Sequence, residues 1–198
     1  MYYTKIVSKI VLLLLLVSCS NTALNTQSES KVGAAASSFE EEITIYKNAI
    51  LALNNDELDK AEKLFTKMSV LQPDIAGSWA NLALIKIKNG QLEKAETFIE
   101  IALQKNPKMP QALNLSGYLA QKQGKIKQAE ALYQQAVTIK PDYALAHYNL
   151  ALIYDIYLQD ILKAIDHYQL YLINIKGKDE KTSNWLEGLK TTVAVHNS

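Results

Sequence analysis

The thiol and imidazole side chains of this sequence, from which many nucleophiles and metal ligands are made, number four: Cys19, His147, His167 and His196. Cys19 is the single cysteine, so no intrachain disulfide can form and packing alone must hold the fold. The three histidines lack metal-binding spacing, and Asp166 beside His167 points to a different side of any helix the two share. His196 falls in a frayed tail. A glycine-rich phosphate loop, a nucleophile elbow and a cysteine–histidine pairing are all missing from the sequence. Glu40 to Glu42 read as the charged start of a helix, where carboxylates meet the positive end of the helix dipole. No catalytic residue, metal or cofactor is therefore expected, and the sequence predicts a protein that is not an enzyme.

The setting of Cys19 gives its thiol a different use. Lys5 and Lys9 precede an unbroken apolar run from Ile10 to Val17, too short to span a bilayer as a helix but fitting the core of a secretory signal. Leu16, Val17, Ser18 and Cys19 resemble a bacterial lipobox. That resemblance implies alkylation of the Cys19 thiol with diacylglycerol, cleavage of the bond before it, and acylation of the new amino terminus, with palmitate among the chains. The alternative is an ordinary cleaved signal, or an uncleaved anchor, with an incidental cysteine. In diderm bacteria with this pattern a serine after the cysteine, here Ser20, permits transfer to the outer membrane. The resemblance thus places the protein in the bacterial envelope, lipid-anchored at the outer membrane and facing the periplasm.

Lysine plus arginine total 21 against 20 acids, a formal net charge of +1, and every base is lysine. There is no electrostatic footprint for nucleic acid and no guanidinium for bidentate clamping of phosphate or carboxylate. Cleavage of residues 1–18 removes Lys5 and Lys9 and leaves 19 bases against 20 acids. Residues 19–37 hold the lipidated cysteine and a serine-, asparagine- and alanine-rich stretch whose large apolar side chains are only Leu24 and Val32. Such a segment cannot bury a core and reads as a disordered tether that spans roughly 20–25 Å on average.

The elements that follow are organised by one interval. Pro73, Pro107 and Pro141 fall 34 residues apart; so do Ala61, Ala95 and Ala129, the larger Phe65, Ile99 and Tyr133, and the small Ala49, Ala83, Gly117 and Ala151. A shared period at independent positions means one supersecondary unit has been copied, and this period is that of a helix-turn-helix repeat. Ser38 and Glu41 have capping-box spacing for a helix over about 39–54. Asn55 and Asp56 then turn the chain into a second helix ending near Leu71. The third unit predicts helices over about 110–123 and 125–139.

Trp79, Leu82, Ala83, Asn89, Gly90, Ala95, Ile99, Ala102 and Pro107 resemble the tetratricopeptide repeat. The resemblance implies an all-α, TPR-type α-solenoid over residues 38–194, with repeats at about 42–75, 76–109, 110–143 and 144–178 and a capping helix at about 181–194. The small residues allow helix axes to approach closely. In the fourth unit Ala164, Tyr168 and Tyr171 arrive one residue late, which predicts an extra residue in the turn around Leu158 to Asp160. His147 occupies the tryptophan position and reads as packing. Trp185, Leu186, Leu189 and Val193 are expected to cover the last apolar face.

In repeats of this kind the first helices line a concave groove. The resemblance maps partner contacts to Tyr46, Ile50 and Leu53; Ala80, Leu84 and Ile87; Asn114, Tyr118 and Gln121; and Tyr148, Leu152 and Asp155. Residues four apart share a helix face, so each row is continuous. The groove is apolar and aromatic with amides, and of the basic clamp that grips acidic chaperone tails only Asn114 has a counterpart. The expected partners are envelope proteins or peptide segments with apolar or aromatic side chains, with assembly of a pilus, secretin or peptidoglycan complex as the setting. The alternatives are an envelope enzyme or a non-catalytic subunit of one, and a structural homo-oligomer.

Overall fold

The computed structural model describes residues 39–196. Cys19, the leader, the tether and Ser38 of the capping box lie outside these described residues. Two compact units divide the chain between Lys47 and Asn48. Of the first, residues 39–47 are described and are helical. The second carries everything else below.

All regular elements among the described residues are helical. Helix α1 covers residues 39–54, and α2 (Leu58–Leu71), α3 (Ala76–Lys88), α4 (Leu92–Lys105), α5 (Pro110–Lys122), α6 (Ile126–Ile139) and α7 (Ala144–Leu152) follow. A π-helical segment, Ile153–Leu158, continues α7, and α8 (Ile161–Asn174) and α9 (Glu180–His196) complete the chain. The helix boundaries expected from the repeat agree within about two residues. Pro73, Pro107 and Pro141 stand just after the C-caps Gln72, Asn106 and Lys140, where a residue that cannot continue a helix does no harm.

Each hairpin turns on one left-handed residue. Asp56, Gly90 and Gly124 have φ of 59°, 71° and 74°, and the next amide bonds back to a carbonyl of the first helix: Glu57 to Ala52 (2.9 Å), Gln91 to Lys86 (2.8 Å) and Lys125 to Ala120 (2.9 Å). These bonds satisfy carbonyls that a helix end would leave unpaired. In the fourth repeat Gln159 takes the left-handed role at φ 54°, and Asp160 bonds to Tyr154 (2.9 Å), one residue further back than in the other three. The extra residue is therefore not in the turn, as the sequence suggested. It is absorbed inside the first helix, whose final stretch widens to π geometry while the turn keeps its shape.

Small and large residues pair across each hairpin as the period implied. Ala83 packs with Ala95 and Ile99; Tyr133 and Tyr168 are fully buried with Ala129, Ala151 and Ala164. At Gly117 a Cβ would lie 2.7 Å from the Tyr133 ring, so only glycine admits that ring at its observed depth. Lys86, buried on α3, reaches Glu62 on α2 and ties the first two hairpins.

The first helices touch one another along the stack, α3 with α5 and α5 with α7, and each second helix packs on the first helix of the following repeat. Consecutive second helices make no comparable contact, so the stack within this unit bends with its first helices on the inside. Asp179 caps α9, accepting from the Thr182 amide (3.1 Å), the Thr182 hydroxyl (2.8 Å) and the Tyr171 hydroxyl (3.0 Å). These bonds hold the Asp179 carboxyl below its ordinary range. Leu186 is buried against the fourth repeat, with Leu189 beside it. Trp185 departs from the expectation: it is 55% exposed and turned away from that core. No helix among the described residues is long and apolar enough to cross a membrane.

Candidate functional site

The inner face is built by α3, α5, α7 and the π segment, and most of the expected groove residues are half-buried there. Leu84 and Ile87 lie on α3, Tyr118 and Gln121 on α5, and Tyr148, Leu152 and Asp155 on α7 and its π continuation, each partly open to solvent. Ile50 and Leu53 on α1 have the same intermediate exposure. Tyr46, on the part of α1 that belongs to the other unit, is also half-buried. Two residues differ. Ala80 is sealed between Ala102 and Ala112, and Asn114, 2% exposed, accepts from Asn149 Nδ2 on the next repeat at 2.9 Å. Both positions serve the joint between repeats, because the first helices approach too closely there to leave their side chains a free edge.

Polar points recur at one place in the repeat. The Tyr133 hydroxyl donates to Gln121 Oε1 (3.0 Å), and one repeat later the Tyr168 hydroxyl donates to Asp155 Oδ2 (3.1 Å). Burial first, and then the Asp155 carboxylate, raise the Tyr168 pKa, so the phenol keeps its proton and remains a donor. Asp155 also receives the Trp185 indole N–H at 2.8 Å. Tyr148 stands among aromatic rings, with centroids 6.1 Å from Tyr168 and 4.9 Å from Tyr171.

At this end of the groove lies a cleft of about 390 Å³ between the fourth repeat and α9, lined by residues that include Tyr148, Leu152, Asp155, Tyr168, Lys181 and Trp185. The last three are absent from the sequence-derived set. Trp185 in this role was not legible, since it stands four residues before Leu189 and by spacing shares its helix face.

The histidines also assemble in a way their spacing did not indicate. His147, buried on α7, donates Nε2–H to the Pro141 carbonyl (2.9 Å), which leaves Nδ1 to accept from His167 Nδ1 at 3.0 Å. His167 stacks on Tyr154, with centroids 5.5 Å apart and 11° between the planes. Burial, and then His147, push the His167 pKa down to about 4, so His167 is neutral near pH 7. Among the described residues no group of three or more histidines, cysteines or acids is placed to hold a metal.

Comparison with known proteins agrees with this architecture. Tetratricopeptide-repeat family models match residues 76–108 and 117–155, which together cover the second repeat and most of the third with the start of the fourth. The photosystem I assembly protein Ycf3 of Cyanophora paradoxa is 43% identical over 70 residues, 32% of this chain and 40% of Ycf3; the match thus spans well under half of that relative. PilF of Pseudomonas aeruginosa has a similar structure, with a TM-score of 0.66 at 16% identity over 78% of this chain and 70% of its own. The first TPR domain of Spaghetti (RPAP3), solved with the HSP90 peptide SRMEEVD, gives 0.53 at 18% identity over 61% and 94% of the two chains. The fold is that of a TPR-type α-solenoid, and repeats of this type bind protein or peptide partners.

Proposed function

We propose that this chain is a non-catalytic adaptor of the bacterial envelope, held at the outer membrane by lipid on Cys19, whose inner groove binds segments of other proteins during assembly of an envelope complex. The observation that carries it is the row Leu84, Ile87, Tyr118, Gln121, Tyr148 and Leu152, left partly open along the inner helices where a folded chain would otherwise bury such side chains. The row is apolar and aromatic, which suits an extended or helical segment with side chains of the same kind. The sequence match to a photosystem assembly protein supports an assembly role. The lipobox at Leu16 to Cys19 supports the anchor, which would concentrate weak partners in a thin layer.

Crosslinking in cells followed by identification of the captured chains tests the adaptor reading, with Leu84→Ala and Tyr118→Ala combined as the control. Capture should fall at least tenfold while helicity by circular dichroism stays unchanged. Equal capture by the double variant would show that the groove is not the binding surface. Cys19→Ser should move the protein from the membrane to the soluble fraction and abolish palmitate labelling; continued labelling would remove the anchor.

A further inference from the structure

The candidate groove positions carry a single charge. Leu84, Ile87, Tyr118, Gln121, Tyr148 and Leu152 are uncharged residue types, and only Asp155 is a carboxylic acid. Its Oδ2 is held by two neutral donors, the Tyr168 hydroxyl and the Trp185 indole. Among the described residues no donor reaches Oδ1. The carboxylate is thus fixed in orientation with its charge uncompensated and one oxygen open, on a cleft walled by Tyr148 and Trp185. Aromatic faces and a carboxylate favour the same kind of group, a cation. The groove already shows this chemistry within the chain, since the Lys122 ammonium lies over the Tyr118 ring at 5.4 Å. Lys181, exposed at the rim, pairs with no acid among the described residues and would be displaced by an incoming cation of the same sign.

We infer that the cleft between the fourth repeat and α9 receives an arginine or lysine side chain of the bound segment, seated against Tyr148 and Trp185 with its charge on Asp155. The inference rests on the reading that the groove binds segments and sets their polarity: apolar or aromatic residues along α3 and α5, a basic residue at the α9 end. Asp155 orients the ligand, and Trp185 and Tyr168 orient Asp155. Charge complementarity of this kind contributes selectivity more than raw affinity.

The test uses the full-length chain and three acetylated, amidated peptides of sequence Leu-Tyr-Leu-X, where X is arginine, norleucine or glutamate, labelled with a neutral dye and read by fluorescence anisotropy. The arginine peptide should bind roughly tenfold more tightly than the norleucine one, and the glutamate peptide most weakly. Asp155→Asn, which keeps an acceptor for Tyr168 and Trp185, should bring arginine and norleucine within about twofold of each other. Lys181→Gln should tighten the arginine peptide about two- to threefold. Equal binding of arginine and norleucine peptides, preference for glutamate, or weaker arginine binding by Lys181→Gln would overturn the inference and leave the groove reading standing. Failure of all three peptides to bind would overturn both.

Discussion

At the residue scale, the tryptophan position of the repeat shows what its occupant is for. Trp79 donates its indole N–H to the Pro73 carbonyl at 2.9 Å, and His147, two repeats later, donates Nε2–H to the Pro141 carbonyl at the same distance. The side chain ties the start of one repeat to the proline turn that precedes it, and either ring can do so. That His147 is a packing residue was legible from its place in the period. Its bond to His167 was not, because the pair is 20 residues apart and depends on the register shift in the fourth repeat. His167 carries a pH dependence. His167 takes up a proton near pH 6.5 when unfolded but only at about 4 when folded, so in that window the unfolded chain binds more protons and stability rises with increasing pH. The contribution is complete above about pH 6.5 and lost as the pH drops to about 4, amounting to about 1–2 kcal/mol after allowing for partial solvent screening. Urea midpoints measured from pH 7.5 to 4 should fall accordingly in the native chain, and that part of the fall should vanish in His167→Gln. An unchanged slope in the variant would place the titration elsewhere.

At the element scale, the fourth repeat shows how one additional residue is accommodated. A hairpin turn closed by a left-handed residue is a tight construction, whereas an α-helix can widen by one residue and keep its backbone bonds. The insertion therefore goes into the helix and appears as the π segment Ile153–Leu158. Asp155 keeps the place of Gln121 through this change, since Tyr168 still reaches it as Tyr133 reaches Gln121. The late arrival of Ala164 and Tyr168 was legible; which element absorbed it was not, because sequence spacing counts residues and is blind to helix pitch. The turn itself retains a strained residue. Gln159 sits at φ 54° where repeats two and three use glycine. A side chain costs about 1–2 kcal/mol there, partly offset by glycine's greater freedom when unfolded. Gln159→Gly should therefore raise the urea-unfolding free energy by about 0.5–1 kcal/mol; a loss would mean that the glutamine side chain has a role in the turn.

At the scale of the whole unit, each hairpin buries its apolar side only by stacking on the next, so the last one needs a lid. Leu186 on α9 supplies it, 4% exposed in the core of the fourth repeat. Leu186→Ala should cost about 2–4 kcal/mol. In a stack held by neighbour contacts that loss should be local: hydrogen exchange should quicken in α7, α8 and α9 while protection in α3 and α4 changes little. Uniform loss of protection would show the unit to be one cooperative block. Local spacing by itself determined the number of repeats, their helices and the first three turns, because copied small and large positions can be satisfied by only one kind of hairpin. Tertiary structure alone decided which side chains of the inner face remain open. Ala80 and Asn114 were closed by approach of neighbouring helices, and Trp185 was brought to Asp155 across 30 residues. Burial is a property of what packs opposite a side chain, and nothing in a single helix's periodicity specifies its neighbour's distance.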